Sequence, residues 1–401
     1  MTATSSPARK QRITIVSAHE GADTWVSLLR FIGETGDYEL RSFHQYDDRA
    51  YRSAKSTMQR LRLRLRTFLL FPLRFALNCR RLARDSDVLL VVTSPFFMPL
   101  LVSMLAVSRR TRVIVLMNDI YPEALIAKGI LSRDGGMAKL MRRAFSRALS
   151  TADAVVFISE RHREMVAVEM PFTSRSKVIP VSANSDPFVG HEPRLSTDRP
   201  RVTYCGTLGY MHDTSTFLAW MERYAGSSDV RFTFHTSGAA KKDFEASVRQ
   251  RQSTIQTGAA IELADSLGED AWTRTMLESH LGLVFQDAGA GAVIFPSKVA
   301  SIMAAGQAVL AVADPQSDLG RLVASHECGW VVAPGSPEAF QESVLAIRDA
   351  DELQRRRLNS FHAGHALFGK PAAAIRWIEL FDELAAEHST GRHARRESAP
   401  A

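Results

Sequence analysis

Pro296, Ser297 and Lys298 place a hydroxyl and a cation in what reads as the first turn of a helix, over the run VASIMAAG. Proline suits a first helical position, and the free amides of such a turn, with Ser297 and Lys298, suit one anion. A lysine at a helix start opposes the helix dipole unless an anion answers it, so a diphosphate is the expected ligand. The loop leading into this turn is Asp287-Ala288-Gly289-Ala290-Gly291-Ala292. A second glycine loop, Gly206-Thr207-Leu208-Gly209, directly follows the apolar run RVTYC. Glycines between strand and helix let a backbone approach phosphate and aim N–H groups at it, although they also serve as plain tight turns.

These loops need strands to hold them. From Ile13 onward, short β-branched runs alternate with helical stretches, the pattern of parallel βαβ units. ITIVSA, YELRSFHQ, VLLVV, RVIVLM, AVVFIS and KVIPV form one series; RVTYCGTLG, VRFTFHTSG, AIELAD, LGLVF, AVLAVAD and GWVV form a second. The fold class is α/β, with two Rossmann-like doubly wound domains, and ligands are expected outside the carboxyl ends of the strands. Residues 1–185 make the N-terminal domain, 186–199 a linker rich in Ser, Asp, Pro and Gly, and 200–370 the C-terminal domain. A helix over 371–388 is a candidate to pack back on the first domain, and 389–401 reads as a flexible tail. The uncharged run Val88–Val107 is long enough to span a bilayer. Pro95 and Pro99 interrupt it, so it is read as strand, loop and helix.

Three cysteines, Cys79, Cys205 and Cys328, lie far apart and give neither a disulfide framework nor a zinc pattern. His362 and His365 share a helical stretch but read as a solvated pair, so no metal and no cofactor are expected. The start of the chain lacks the apolar core of a signal peptide, and a cytoplasmic location is expected.

The net charge of +7 is unevenly spread: residues 1–185 hold 29 Lys/Arg against 16 Asp/Glu, and residues 186–401 hold 21 against 27. Much of the excess lies in Arg52–Arg84, with ten Lys/Arg, no acidic residue, and leucine and phenylalanine between them. Arg60, Arg62, Arg64 and Arg66 alternate with leucine like a strand, while the wider composition is helical with a break near Pro72. Cations beside apolar side chains suit an anionic membrane surface, and the expected location is peripheral, on the inner face of the cell membrane. An amphipathic helix packed on its own domain is the alternative. Nucleic acid is not expected as a partner, because no recognition fold accompanies the charge.

FPSKVASIMAAGQAVLAVAD resembles the donor-site segment of retaining, family 4-type GT-B glycosyltransferases of bacterial surface-polysaccharide assembly. YCGTLGYMHDTSTFL resembles the opening of their C-terminal domain; VTSPFFMPLL, VLMNDIYPEALIAKGIL and DAVVFISERHREMV are similar to their N-domain pattern. The resemblance implies two domains facing a central cleft, a nucleotide-sugar donor, a lipid-linked or saccharide acceptor, and retention, with the leaving phosphate able to take the acceptor's proton. It implies a donor site of Gly206, Thr207, Gly209, His212, Gly289, Ala290, Gly291, Ser297, Lys298 and Ser301. Lys298 would neutralise the leaving phosphate, and Asp119 would orient the acceptor, with Tyr121, Pro122 and Glu123 across the cleft. His19, Glu20 and Gly21 would form an acceptor or phosphate loop. Val293 and Ser301 stand where many members carry two carboxylates, and Tyr210 to Asp213 replace a basic pair. A non-catalytic relative and a basic membrane-associated binding protein are the competing readings.

Overall fold

Both apolar series become parallel strands because they are buried on both faces, as the continuous burial of Val88–Val92, Leu281–Phe285 and Ala308–Val312 shows. The structure is a computed structural model that describes residues 10–19, 23–35, 38–46, 56–105, 111–183, 185–196, 198–209, 211–224, 229–254 and 260–397. It divides into two units, 1–180 with 373–401, and 181–372.

In the first unit the strands are β1 (Gln11–Val16), β2 (Tyr38–Phe43), β3 (Val88–Val92), β4 (Arg112–Met117), β5 (Ala154–Phe157) and β6 (Arg175–Val178). They pair in parallel in the order β2-β1-β3-β4-β5-β6. The second unit has β7 (Arg201–Thr207), β8 (Arg231–Ser237), β9 (Ala260–Asp265), β10 (Leu281–Phe285), β11 (Ala308–Val312) and β12 (Gly329–Val332). Their order is β12-β11-β10-β7-β8-β9, again parallel throughout. Each sheet reverses its order beside its first strand, which makes both doubly wound.

The apolar run from Val88 resolves into β3 and a short helix, Met98–Met104. Among the described residues no helix is long and apolar enough to cross a membrane. The arginine–leucine alternation is helical: Thr57–Leu65, a π-helical turn Arg66–Leu70 and Phe71–Asp85 follow one another without a break. Ser56 starts it with a capping box, its hydroxyl accepting from the Gln59 N–H at 3.1 Å while Gln59 accepts from the Ser56 N–H. Pro72 lies inside this continuous helix, where it offers no N–H to the preceding turn, and the π-helical turn directly before it accommodates the loss.

Two segments differ from expectation. The stretch read as a linker is tied into the second unit: Phe188 is buried against Trp272 at 5.6 Å, and Gln354 Nε2 donates to Pro193 O at 2.6 Å. One buried aromatic anchors a polar segment that has no apolar period to reveal it. The final helix runs Lys370–Glu397, well into the stretch read as a tail, because no proline stops it before Pro400. In the first unit it buries Trp377, Leu380, Phe381 and Leu384, and Lys177 donates to Glu383 at 2.8 Å. The apolar burial outweighs that exposed ion pair.

Candidate active site

Lys298 is the chemical centre of the second unit. Its Nζ donates to Tyr204 Oη at 2.6 Å and lies 3.8 Å from the centroid of the same ring. The Tyr204 hydroxyl in turn donates to Thr207 O at 2.9 Å, and the ring is fixed between Phe234 and Phe285 at 6.2 and 5.5 Å. Gly206, two residues on and so on the same face of β7, lies against the ammonium, where a Cβ would sit 3.8 Å from Nζ in ordinary contact. Its φ of 132° also demands glycine. Lys298 is half-buried as a residue, and desolvation of its ammonium pulls its pKa down to about 7. Neighbouring Cys205 is pushed up to about 12 by burial, so it stays a neutral thiol.

The helix behind Lys298 is seated by a close crossing. A Cβ on Gly364, in the helix Ala350–Phe368, would lie 2.6 Å from Met303 C and 2.7 Å from Ala304 N. Glycine lets the two backbones touch, and Arg357 Nε clamps the next turn by donating to Gly306 O at 3.2 Å. His362 is exposed, as the solvated reading expects, with Nε2 3.6 Å from an exposed Glu192, whereas His365 is half-buried with Nε2 3.1 Å from Ala304 O.

The anion site differs in detail from the one expected. The helix begins at Lys298, not Pro296, and its first amides are already used: Val299 N–H donates to Pro296 O at 3.0 Å and Ala300 N–H to Ser297 O at 3.2 Å. The glycine loops also satisfy themselves. Leu208 N–H donates to Ser237 O, Gly209 N–H to His212 Nδ1, Gly289 N–H to Asp287 Oδ1, and Ala290 N–H to Asp287 O. Ala290 and Gly291 are buried, and a Cβ on Gly291 would meet Ser317 Cβ at 2.8 Å, so this glycine serves packing. A buried or strained turn must satisfy its own amides, and here that leaves side chains to meet an anion.

Those side chains are gathered in one place. Asp287 N–H donates to Met211 O at 3.0 Å, which joins the glycine loop after β10 to the loop after β7. His212 Nδ1 lies 3.0 Å from both the amide nitrogen and the carbonyl oxygen of Gly209, which pins the imidazole against the turn. Desolvation, aided by the Lys298 charge, holds His212 neutral with a pKa of about 4. Thr207 and Ser297 are exposed, Gly289 is exposed, and Ser301 is half-buried. Val293 is buried, so the position expected to carry a carboxylate belongs to the core. The Lys298 cation and the hydroxyls of Ser297 and Thr207, beside the His212 imidazole, can hold a polyanion.

In the first unit, His19 lies just beyond β1 and bridges to Tyr46, while Glu20 and Gly21 lie outside the described residues. Asp119 lies two residues beyond β4 and does not cap the helix Glu123–Ala127, whose cap is Pro122. It is exposed by area, yet the protein packed around it raises its carboxyl above the ordinary range, with Lys128 acting against this. Tyr121 stacks on Phe96 at 4.5 Å; Phe96 meets Phe97 at 5.4 Å, and Phe97 meets Phe68 at 6.4 Å. Glu123 is a correction: it is buried and held by Arg142 through two bonds, 2.7 and 3.0 Å, so it is a structural anion rather than a free site residue. Among the described residues no group of three or more His, Cys, Asp or Glu could hold a metal.

Tyr204 is the partner of Lys298 that sequence reasoning missed. In RVTYC it reads as strand core, and only its period-two relation to Gly206 hints at a shared face.

Comparison with known proteins defines the class by fold. The chain has the architecture of GT-B glycosyltransferases: Thermosynechococcus elongatus sucrose-phosphate synthase aligns over 94% of this chain and 100% of its own, with TM-score 0.66 and 14% identity. Anabaena Alr3699/HepE in complex with UDP-glucose aligns over 93% and 99%, with TM-score 0.63 and 10% identity. Burkholderia multivorans α,α-trehalose 6-phosphate synthase aligns over 96% and 98%, with TM-score 0.65 and 11% identity. In sequence, the chain is 23% identical over 317 residues to the Pseudomonas aeruginosa "Probable glycosyltransferase WbjE", covering 76% of this chain and 77% of that protein. No protein-family profile matches the chain.

Proposed function

We propose that this chain moves a hexose-like sugar from a nucleoside-diphosphate sugar to a lipid-linked acceptor in bacterial surface-polysaccharide assembly, with retention, at the inner face of the cell membrane. The coarse part, a nucleotide-sugar-dependent glycosyltransferase, is carried by the fold and by the curated relative. The observation that carries the donor assignment is Lys298 held by Tyr204 between Gly206 and His212, a desolvated cation ready to regain charge against a leaving phosphate. Asp119, beyond a strand end of the first unit, is the proposed acceptor-orienting group.

The lipid-linked acceptor and the peripheral location rest on the helix Thr57–Asp85. Leu63, Phe71, Phe75, Cys79 and Ala83 are buried at four- and eight-residue steps. The opposite side exposes Leu61, Leu65, Leu69, Leu73 and Leu77, the last at 79%. Arg60, Arg62, Arg64 and Arg66 are exposed beside them. Leucines in solvent flanked by cations are the composition of an interfacial helix that meets anionic lipid.

A thermal-shift series with nucleoside diphosphates and their sugars tests the donor site, followed by release of nucleotide from the stabilising donor. Ligand at a hundred times its Kd stabilises by about 2.7 kcal/mol, which is readily seen. Lys298→Ala should then cost about a hundredfold to a thousandfold in turnover with the fold intact. Absence of any nucleotide-induced shift would end the donor assignment. Stabilisation without turnover would favour the non-catalytic reading that Val293 and Ser301 suggest.

A further inference from the structure

We infer that the helix Gly136–Leu149 is a second membrane-contacting element, and that it shares one lipid-facing surface with the helix Thr57–Asp85. The inference rests on the membrane reading given above. Right-handed crossovers in the order β1-β3-β4-β5 put the helices before β3, β4 and β5 on one face of the first sheet. Packing agrees: Phe75, Met98 and Phe145, one from each helix, enter the same core cluster. The three helices therefore form one layer, and their outer sides form one surface.

On that outer side Gly136–Leu149 repeats the chemistry of the longer helix. Met137 and Leu140 are 59% and 61% exposed, and Lys139, Arg143 and Arg147 are exposed at four-residue intervals. Met104, at the end of the helix between, is 82% exposed. Isolated exposed leucines need no explanation, but two helices of one layer with the same pairing of apolar and cationic side chains call for one partner that is both oily and anionic. A bilayer containing anionic lipid has those properties, whereas a nucleic acid would leave the leucines and methionines in water.

The surface also has a direction. Tyr46 and His44, just beyond β2, hydrogen-bond Thr67 at 2.7 Å and Arg74 at 2.8 Å, so the first half of the long helix lies at the carboxyl ends of the strands. Met137 and Leu140, in the first turns of their helix, lie at that end too, because crossover helices run antiparallel to their strands. Docking there sets the loops that carry His19 and Asp119 close to the lipid surface from which a lipid-linked acceptor would come.

The test uses the full chain and sedimentation with vesicles of phosphatidylcholine alone or with phosphatidylglycerol. Each surface cation contributes about fivefold in binding, so Lys139→Gln, Arg143→Gln and Arg147→Gln together should weaken binding to anionic vesicles about a hundredfold, with the unfolding midpoint unchanged. Independently, Leu140→Cys carrying an environment-sensitive fluorophore should shift to the blue with anionic vesicles, relative to the unsubstituted chain put through the same labelling. If the native chain binds, the triple variant binds as tightly as the native chain and the probe's emission stays as in solution, the second element is refuted while the long helix stands. If the native chain fails to bind anionic vesicles at low salt, both fall.

Discussion

The affinity for a nucleoside diphosphate should fall steeply above neutral pH, because Lys298 releases its proton near pH 7 in the free protein. A bound pyrophosphate requires the ammonium, so apparent Kd rises with the factor one plus ten to the power of pH minus about 7. From pH 7 to pH 9 that is about fiftyfold. The second phosphate ionisation, near pH 6, is complete over this range, and His212, near 4, is neutral throughout. Stability of the unliganded chain should move in the opposite sense. Between about pH 7 and the ordinary lysine value of 10.5, the unfolded chain binds the proton that the folded chain has released, so unfolding free energy rises with pH by about 1.4 kcal/mol per unit. Below pH 7 both states are protonated and the desolvation cost is present in full. Titration calorimetry at several pH values on the native chain, Lys298→Arg and Lys298→Met measures the first effect, and urea unfolding measures the second. Arginine stays charged, so that variant should lose the pH slope; methionine should bind weakly and flatten the stability difference. A native affinity that is constant from pH 7 to 9 would refute the assignment of Lys298 as the phosphate cation.

Tyr204→Phe keeps the ring between Phe234 and Phe285 but removes the acceptor of the 2.6 Å bond, so donor KM should rise about tenfold and the pH break should move lower. An unmoved break would show that the hydroxyl does not hold the ammonium. Asp119→Asn should lower kcat about a hundredfold or more while leaving nucleotide affinity, measured by calorimetry, as in the native chain; a native kcat would make Asp119 a structural residue. Gly364→Val inserts atoms where Met303 and Ala304 backbone already sits, and should cost about 3 kcal/mol in urea unfolding and weaken donor binding through the displaced Lys298 helix. A variant as stable as the native chain would mean that the crossing is not tight.

The strands were legible because parallel strands buried on both faces read as unbroken β-branched runs, and RVTYCGTLG and LGLVF needed nothing else. Lys298 was legible as a cation in an awkward place. Its environment was not, since Tyr204 lies 94 residues earlier and only the fold closes that separation. The glycine loops were over-read for a related reason: glycine composition signals a tight backbone but not whether its amides are already spent, as those of Gly209 and Gly289 are. The arginine–leucine alternation left strand and helix both open because leucines face both the protein and the solvent, which erases the helical period that a one-sided helix would show.

The π turn at Arg66–Leu70 keeps that long helix in phase. Leu63 and Phe71 are both buried but eight residues apart, a drift of about 80° in an uninterrupted α-helix. Wider winding through the five residues between them takes that rotation back, so that both face inward while Leu61 and Leu73 face out. The segment therefore sets the rotation of the leading arginines relative to the rest of the helix. Losing a single residue there would turn the leading arginines by about 100° relative to the rest, and should detach the chain from lipid more completely than any point substitution along the helix.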